Sequence, residues 1–111
     1  MILTSKNIGD SQMNEVIKGL KTYGGRSLDL SGNRITDEGV ALLAKAVCEA
    51  PRLELLLLAN NKITEKCIEP LAATFRTNKT LKVLDLQGNG ITNRVVKNKI
   101  KNVLTWVEIK F

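Results

Sequence analysis

Leu28-Asp29-Leu30-Ser31-Gly32-Asn33-Arg34-Ile35-Thr36 is followed, 28 residues on, by Leu56-Leu57-Leu58-Ala59-Asn60-Asn61-Lys62-Ile63-Thr64. A further 28 residues on comes Leu84-Asp85-Leu86-Gln87-Gly88-Asn89-Gly90-Ile91-Thr92. The shared frame is Leu-x-Leu-x-x-Asn-x-Ile-Thr, with no gap between copies. Such self-similarity outranks any local secondary-structure reading, because each copy is one supersecondary unit that buries its apolar face only against its neighbours.

Outward from the frame, Leu53 and Leu81 stand three positions before the second and third copies, where the first has Gly25. After each Ile-Thr the apolar period changes. Val40, Leu43, Ala44 and Val47, then Ile68, Leu71, Ala72 and Phe75, follow the three-four-seven spacing of a helix stripe. Thr36, Thr64 and Thr92 stand at the entry to these segments, where a hydroxyl can cap free backbone N–H groups. Pro70 fits only a first helical turn, so the second helix is expected to begin close to it. Each unit is thus a short strand, a tight turn and a returning helix. In the turn, Asn33, Asn61 and Asn89 are assigned a structural role, bonding backbone groups that would otherwise be buried unpaired.

Degenerate copies flank the array. Leu3 to Asp10 aligns with Leu30 to Asp37, with Lys6 in the asparagine's place, and Met13, Val16, Ile17 and Leu20 continue as a helix stripe. At the other end Leu104, Val107 and Ile109 repeat the Leu-x-x-Leu-x-Leu spacing. The expected organisation is one domain over 1–111. It divides into a degenerate repeat over 1–24, repeats over 25–52, 53–80 and 81–103, and a capping strand over 104–111. The fold class is α/β, a right-handed solenoid with parallel strands on the concave face and helices on the convex face.

The Leu-x-x-Leu-x-Leu-x-x-Asn frame, the stretch Ile35 to Val47, the helix entry Cys67-Ile68-Glu69-Pro70-Leu71-Ala72 and the strand entry Thr80 to Leu86 resemble leucine-rich repeats of the ribonuclease-inhibitor type. The resemblance is strong over residues 25 to 92. It implies a protein-binding module, since that class includes inhibitors, immune sensor domains, actin pointed-end cappers, GTPase-activating proteins and bacterial effectors.

Composition narrows the function. The 111 residues are 43% hydrophobic, 25% charged and 4% aromatic, so the core must be aliphatic. There is no histidine, and the cysteines are Cys48 and Cys67 alone. Nucleophilic cysteine–histidine pairs and zinc sites of Cys and His are therefore excluded, and both thiols read as small apolar groups in a reducing compartment. No P-loop or Gly-x-Ser-x-Gly motif occurs, so the chain is read as non-enzymatic and without a cofactor or small-molecule substrate. The first residues are too weakly apolar for a signal peptide, and the longest apolar run, Leu55 to Ala59, is too short to span a bilayer. The expected address is the cytoplasm, or a host's cytoplasm for a secreted bacterial effector.

The repeat register puts alternate strand residues on the concave face. The expected first row is Ser27, Leu55, Val83 and Trp106. The second is Asp29, Leu57, Asp85 and Glu108, and the third Ser31, Ala59, Gln87 and Lys110. Leu55, Leu57, Val83 and Trp106 then form an apolar strip that the core does not require, flanked by Asp29, Asp85 and Glu108. This strip is the expected partner-binding site, with Trp106 as its anchor; the alternative is that the chain's own end covers Trp106 and Leu55, or that a one-residue slip of the last strand turns Trp106 into the core. A metal at Asp29 and Asp85 is not expected, because Leu57 separates them. The partner is an unknown protein. Two alternatives are a GTPase-regulating component acting through an arginine among Arg26, Arg34, Arg52, Arg76 and Arg94, and an anionic-surface binder. The latter would use Arg94, Lys97, Lys99 and Lys101 in a chain of net charge +6. That signal for nucleic acid or membrane is weak, since no aromatic RNA-binding motif accompanies it. Uncapped outer strands further suggest a two-fold dimer through one end, against which Glu108, Lys110 and Lys101 would act.

Overall fold

The computed structural model describes residues 1–23, 25–47, 52–76 and 78–111. Cys48 lies outside these described residues. The described chain is a leucine-rich-repeat solenoid in which strand and helix alternate. Helix α1 spans Met13–Tyr23, β1 Ser27–Asp29, α2 Asp37–Val47, β2 Leu55–Leu57, α3 Ile68–Phe75, β3 Val83–Asp85, α4 Arg94–Val103 and β4 Glu108–Lys110. The strands form one parallel sheet in the order β1-β2-β3-β4. Ile2 adds an isolated parallel bridge to Asp29 on the outer side of β1. There the Met1 amino group donates to the Ser27 carbonyl at 2.7 Å.

Alternation makes this sheet. The middle residue of each strand, Leu28, Leu56, Leu84 and Ile109, points inward and is buried, while its neighbours stay partly or fully exposed. The helices return over this layer with Val16 and Leu20, then Val40, Leu43 and Val47, then Ile68, Leu71 and Phe75. Pro70 falls within the first turn of α3, where its missing N–H leaves no helical bond unmade. Helix α4 is different in kind. Its only fully buried side chain is Ile100, and Val95 is 76% exposed.

The asparagines link one repeat to the next. The Asn61 amide donates to the carbonyls of Leu58 and Ala59 in its own turn and of Leu30 in the preceding one, while its oxygen accepts from the Ile35 N–H. Asn89 does the same one repeat later, toward Leu86, Gln87 and Leu58, and accepts from Asn61 and Ile63 N–H groups. Asn33 reaches Leu3, Leu30 and Ser31 and accepts from Lys6 and Ile8 N–H groups. Peptide groups inside the turns, most of them partly buried, are thereby paired.

The residue before each asparagine, Gly32, Asn60 and Gly88, has φ between 57° and 71°, and Ser5, before Lys6 in the first turn, has φ 53°. At Gly88 a Cβ would stand 2.0 Å from Asn60 Oδ1, so neighbouring turns stack too closely for a side chain there.

A second ladder runs along the helix entries. Asp10 accepts from the Thr36 N–H at 2.9 Å and from its hydroxyl, and Asp37 takes the same two groups of Thr64. Glu65 accepts from the N–H groups of Thr92 and Asn93. The Thr36 and Thr64 hydroxyls therefore serve the previous repeat more than their own helix. Thr64 alone of the three also caps, weakly, through Lys66 N–H at 3.3 Å. The cap of α4 is Asn93, not Thr92: its side chain accepts from the Val95 and Val96 N–H groups.

Candidate functional site

The open face of the sheet carries two rows of side chains. Ser27, Leu55 and Val83 are register partners, as are Asp29, Leu57 and Asp85. Leu55 is 38% exposed, and Leu57 and Val83 are half-buried. None of the three belongs to the buried core cluster, which is complete without them.

The fourth strand departs from the expected rows. Val83 pairs with Glu108 and Asp85 with Lys110, so Glu108 closes the first row and Lys110 the second. Trp106 is not in the strip. By this register it stands where Leu81 stands one repeat earlier, at the strand entry, half-buried and packed against the end of the core. The cause is a misassigned leucine. Leu104 completes α4, its N–H bonded to the Ile100 carbonyl, and does not open the strand. The slip is of two residues, so Val107 and Ile109 still face inward while every concave residue moves one row. The acidic flank shrinks to Asp29 and Asp85, and Glu108 moves beside the apolar pair.

Asp29 and Asp85 have local work as well, accepting the N–H groups of Ser31 and Gln87 at 3.0 Å each. They flank Leu57 on the outer two of three strands. Among the described residues no group of three or more His, Cys, Asp or Glu could hold a metal. No helix among them is long and apolar enough to cross a membrane.

Immediately before the first row lies a feature that the repeat frame alone did not single out. Arg26, Arg52, Glu54, Lys79, Thr80 and Lys82 line a shallow groove along the strand entries. Lys82 Nζ lies 2.9 Å from Glu54 Oε1, and Arg26 Nε lies 3.7 Å from Oε2. The hydrogen bond and charge of Lys82 hold the Glu54 carboxyl below its usual range, with a smaller contribution from Arg26. Lys79 Nζ sits 3.8 Å from the centroid of the Trp106 ring, so this side chain roofs the indole and borders the groove at once. The indole Nε1 is buried without a protein acceptor. The sequence signal was present in the charges flanking Leu53, Leu55 and Leu81, outside the rows that the alternation rule picks.

The basic end is partly engaged. Lys99 pairs with Glu69 at 3.1 Å, and Lys97 and Lys101 stand 5.5 and 5.6 Å from the Phe111 ring centroid. Cys67 is buried at the head of α3, and its desolvation, aided by the charge of Asp37, pushes the thiol up to about 12. It is a packing group, not a nucleophile.

This face is a sheet of leucine-rich repeats, and sequence comparison reaches the same class. The Leucine Rich repeat family pattern matches residues 26–44 and 77–94. Among solved structures, leiomodin-1 actin-binding site 2 superposes with a TM-score of 0.87 over 99% of this chain and 68% of its own, at 18% identity. A leucine-rich-repeat protein of Leptospira interrogans superposes with a TM-score of 0.52 at 26% identity, over 86% of this chain and 27% of its own. No curated protein sequence matches.

Proposed function

We propose that this chain is a non-enzymatic protein-binding module whose concave sheet face receives a partner protein, in an array of the ribonuclease-inhibitor type. The observation that carries this reading is the strip of Leu55, Val83 and Leu57, apolar side chains left on an open strand face by a core that closes without them. Placing Leu at such positions costs solubility and adds nothing to the interior. The fold shared with an actin-binding fragment supports a protein ligand and makes actin the first one to assay.

The test is binding to purified actin, with affinity capture from extract if actin does not bind. Two variants are compared, Leu55→Asp on the strand face and Leu42→Asp on the exposed part of α2. The expected result is loss of binding by at least about tenfold for Leu55→Asp only, the scale of a central apolar contact. A ligand lost with Leu42→Asp and kept with Leu55→Asp would move the site to the convex face and overturn the reading.

A further inference from the structure

The groove along the strand entries carries an excess of positive charge that the protein itself does not use. Among the described residues its lining holds four cations, Arg26, Arg52, Lys79 and Lys82, and one carboxylate, Glu54. Glu54 is shared between Lys82 and Arg26, whose side chains remain 73% and 78% exposed. Arg52 has no carboxylate partner among the described residues, and Lys79 is engaged only by the Trp106 ring.

The groove adjoins the apolar strip along the chain, since Arg26, Glu54 and Lys82 of its lining stand just before β1, β2 and β3. Glu54 and Lys82 directly precede Leu55 and Val83 on their strands, so a ligand crossing the face passes from cations to apolar side chains within one residue's rise, about 3.3 Å. Beyond the strip the sign reverses at Asp29 and Asp85, about 10 Å along from Arg26 and Lys82.

We propose that this groove and the Leu55–Val83 strip together dock an acidic segment of a partner protein, its carboxylates on the four cations and its apolar side chains on the strip. The inference rests on the concave-face reading and names the chemistry of its ligand. Charge complementarity selects this occupant. A nucleic acid or an anionic bilayer would present phosphates across the whole face and would meet Asp29, Asp85 and Glu108 as well as the cations. A peptide can place its charges on one side only. Trp106, the one indole of the chain, is covered by Lys79 and is not an open platform on which a base could stack.

The experiment is titration of the full chain with a synthetic peptide of alternating Glu–Glu and Leu–Phe pairs. Three further probes are run in parallel: its Gln-for-Glu counterpart, a single-stranded oligonucleotide, and phosphatidylserine vesicles. Saturable binding is expected for the acidic peptide, at least about tenfold tighter than for the Gln peptide, as several charge pairs together provide. The double variant Arg52→Glu/Lys82→Glu should weaken it roughly tenfold, and Glu54→Gln should tighten it by about twofold to fivefold, the worth of one exposed charge. Circular dichroism checks that both variants are folded. Equal binding of the Gln peptide, or tighter binding of the oligonucleotide or the vesicles, overturns the proposal. So does an unchanged affinity in both groove variants. If Leu55→Asp abolishes binding while the groove variants do not, the concave-face reading stands and this inference alone falls.

Discussion

Between β1 and β3 the stack repeats itself residue for residue, and between β3 and β4 it does not. Register partners are 28 apart across the first two interfaces and 25 apart across the third. In the central turns Asn61 and Asn89 bond to the turn before them, and the entries to β2 and β3 are the buried leucines Leu53 and Leu81. In the closing repeat the helix has one fully buried side chain, and a tryptophan takes the leucine's place at the strand entry. The difference teaches what each region is held by. The centre depends on backbone groups paired across repeats, whereas the end depends on a few side chains draped over an otherwise open core.

Removing one rung of the ladder should have the largest effect. Asn61→Ala takes the acceptor of the Ile35 N–H and one donor from each of the carbonyls of Leu30, Leu58 and Ala59, which keep Asn33, Asn89 and the Gly32 N–H. An N–H left unpaired costs about 1–3 kcal/mol and each lost bond to a carbonyl about 0.5–1.5 kcal/mol, so after partial rebonding a loss of about 3 kcal/mol in urea-monitored stability is expected. Lys6 occupies the corresponding place in the first turn, and its exposed side chain makes no such bond. Lys6→Ala should change stability by less than about 0.5 kcal/mol. Equal effects of the two substitutions would show that the asparagines do not carry the centre.

Trp106→Ala probes the end. A Trp106 standing in the concave strip would leave the protein folded when cut to Ala and cost it its partner. The register makes it a destabilising change, because the indole packs against the core, as Val103 and Phe111 do, and has Lys79 over its face. A half-buried aromatic should be worth about 2 kcal/mol, less than the roughly 3–5 kcal/mol of a fully buried one. Since Trp106 is the only indole, the unfolding midpoint has to be followed by circular dichroism. An unchanged midpoint would return Trp106 to the surface.

The centre also holds a titratable group that the end lacks. The Cys67 thiol is raised from 9.0 to about 12 in the folded state, so folding favours its neutral form. This stabilisation is complete below pH 9 and is lost as pH rises from 9 toward 12. At about pH 10 the loss is on the order of 1 kcal/mol. Comparison with Cys67→Ala isolates it: the substituted protein should lose less stability between about pH 8 and pH 10 than the parent does. Parallel losses would place Cys67 in contact with solvent.

How far the sequence could be read follows the same division. The central strands, their helices and the asparagine frame were legible because period 2 and period 3.6 apolar patterns recur with constant spacing, and three copies check one another. The left-handed residue before each asparagine, and before Lys6 in its place, was not singled out, since Ser5, Gly32, Asn60 and Gly88 share a conformation and not an identity. The last strand was misplaced because it has no following Ile-Thr and no asparagine to fix its register, and Leu104 imitates a strand entry. With that register went Trp106 and Glu108. The basic groove escaped because strand alternation assigns Arg26, Glu54 and Lys82 no place in the concave rows, while the chain's bend at the strand entry brings their charges together.

The smallest effect should come from the cap of α4, and its value lies in where the effect is felt. Asn93→Ala removes the acceptor for the Val95 and Val96 N–H groups, worth about 1 kcal/mol at a helix start. In a central helix such a loss would spread, because several side chains behind the entry are committed to the core: Val40, Leu43 and Val47 in α2, and Ile68, Leu71 and Phe75 in α3. Helix α4 has only Ile100 fully committed to the core, with Val96 and Val103 partly so. Its first turn can therefore open without the rest. Hydrogen exchange should quicken about fivefold at residues 95 to 98, the factor that 1 kcal/mol produces, and stay unchanged over α2 and α3. Acceleration across α3 as well would mean that the closing repeat and the centre unfold as one unit, and the contrast between them would be one of sequence alone.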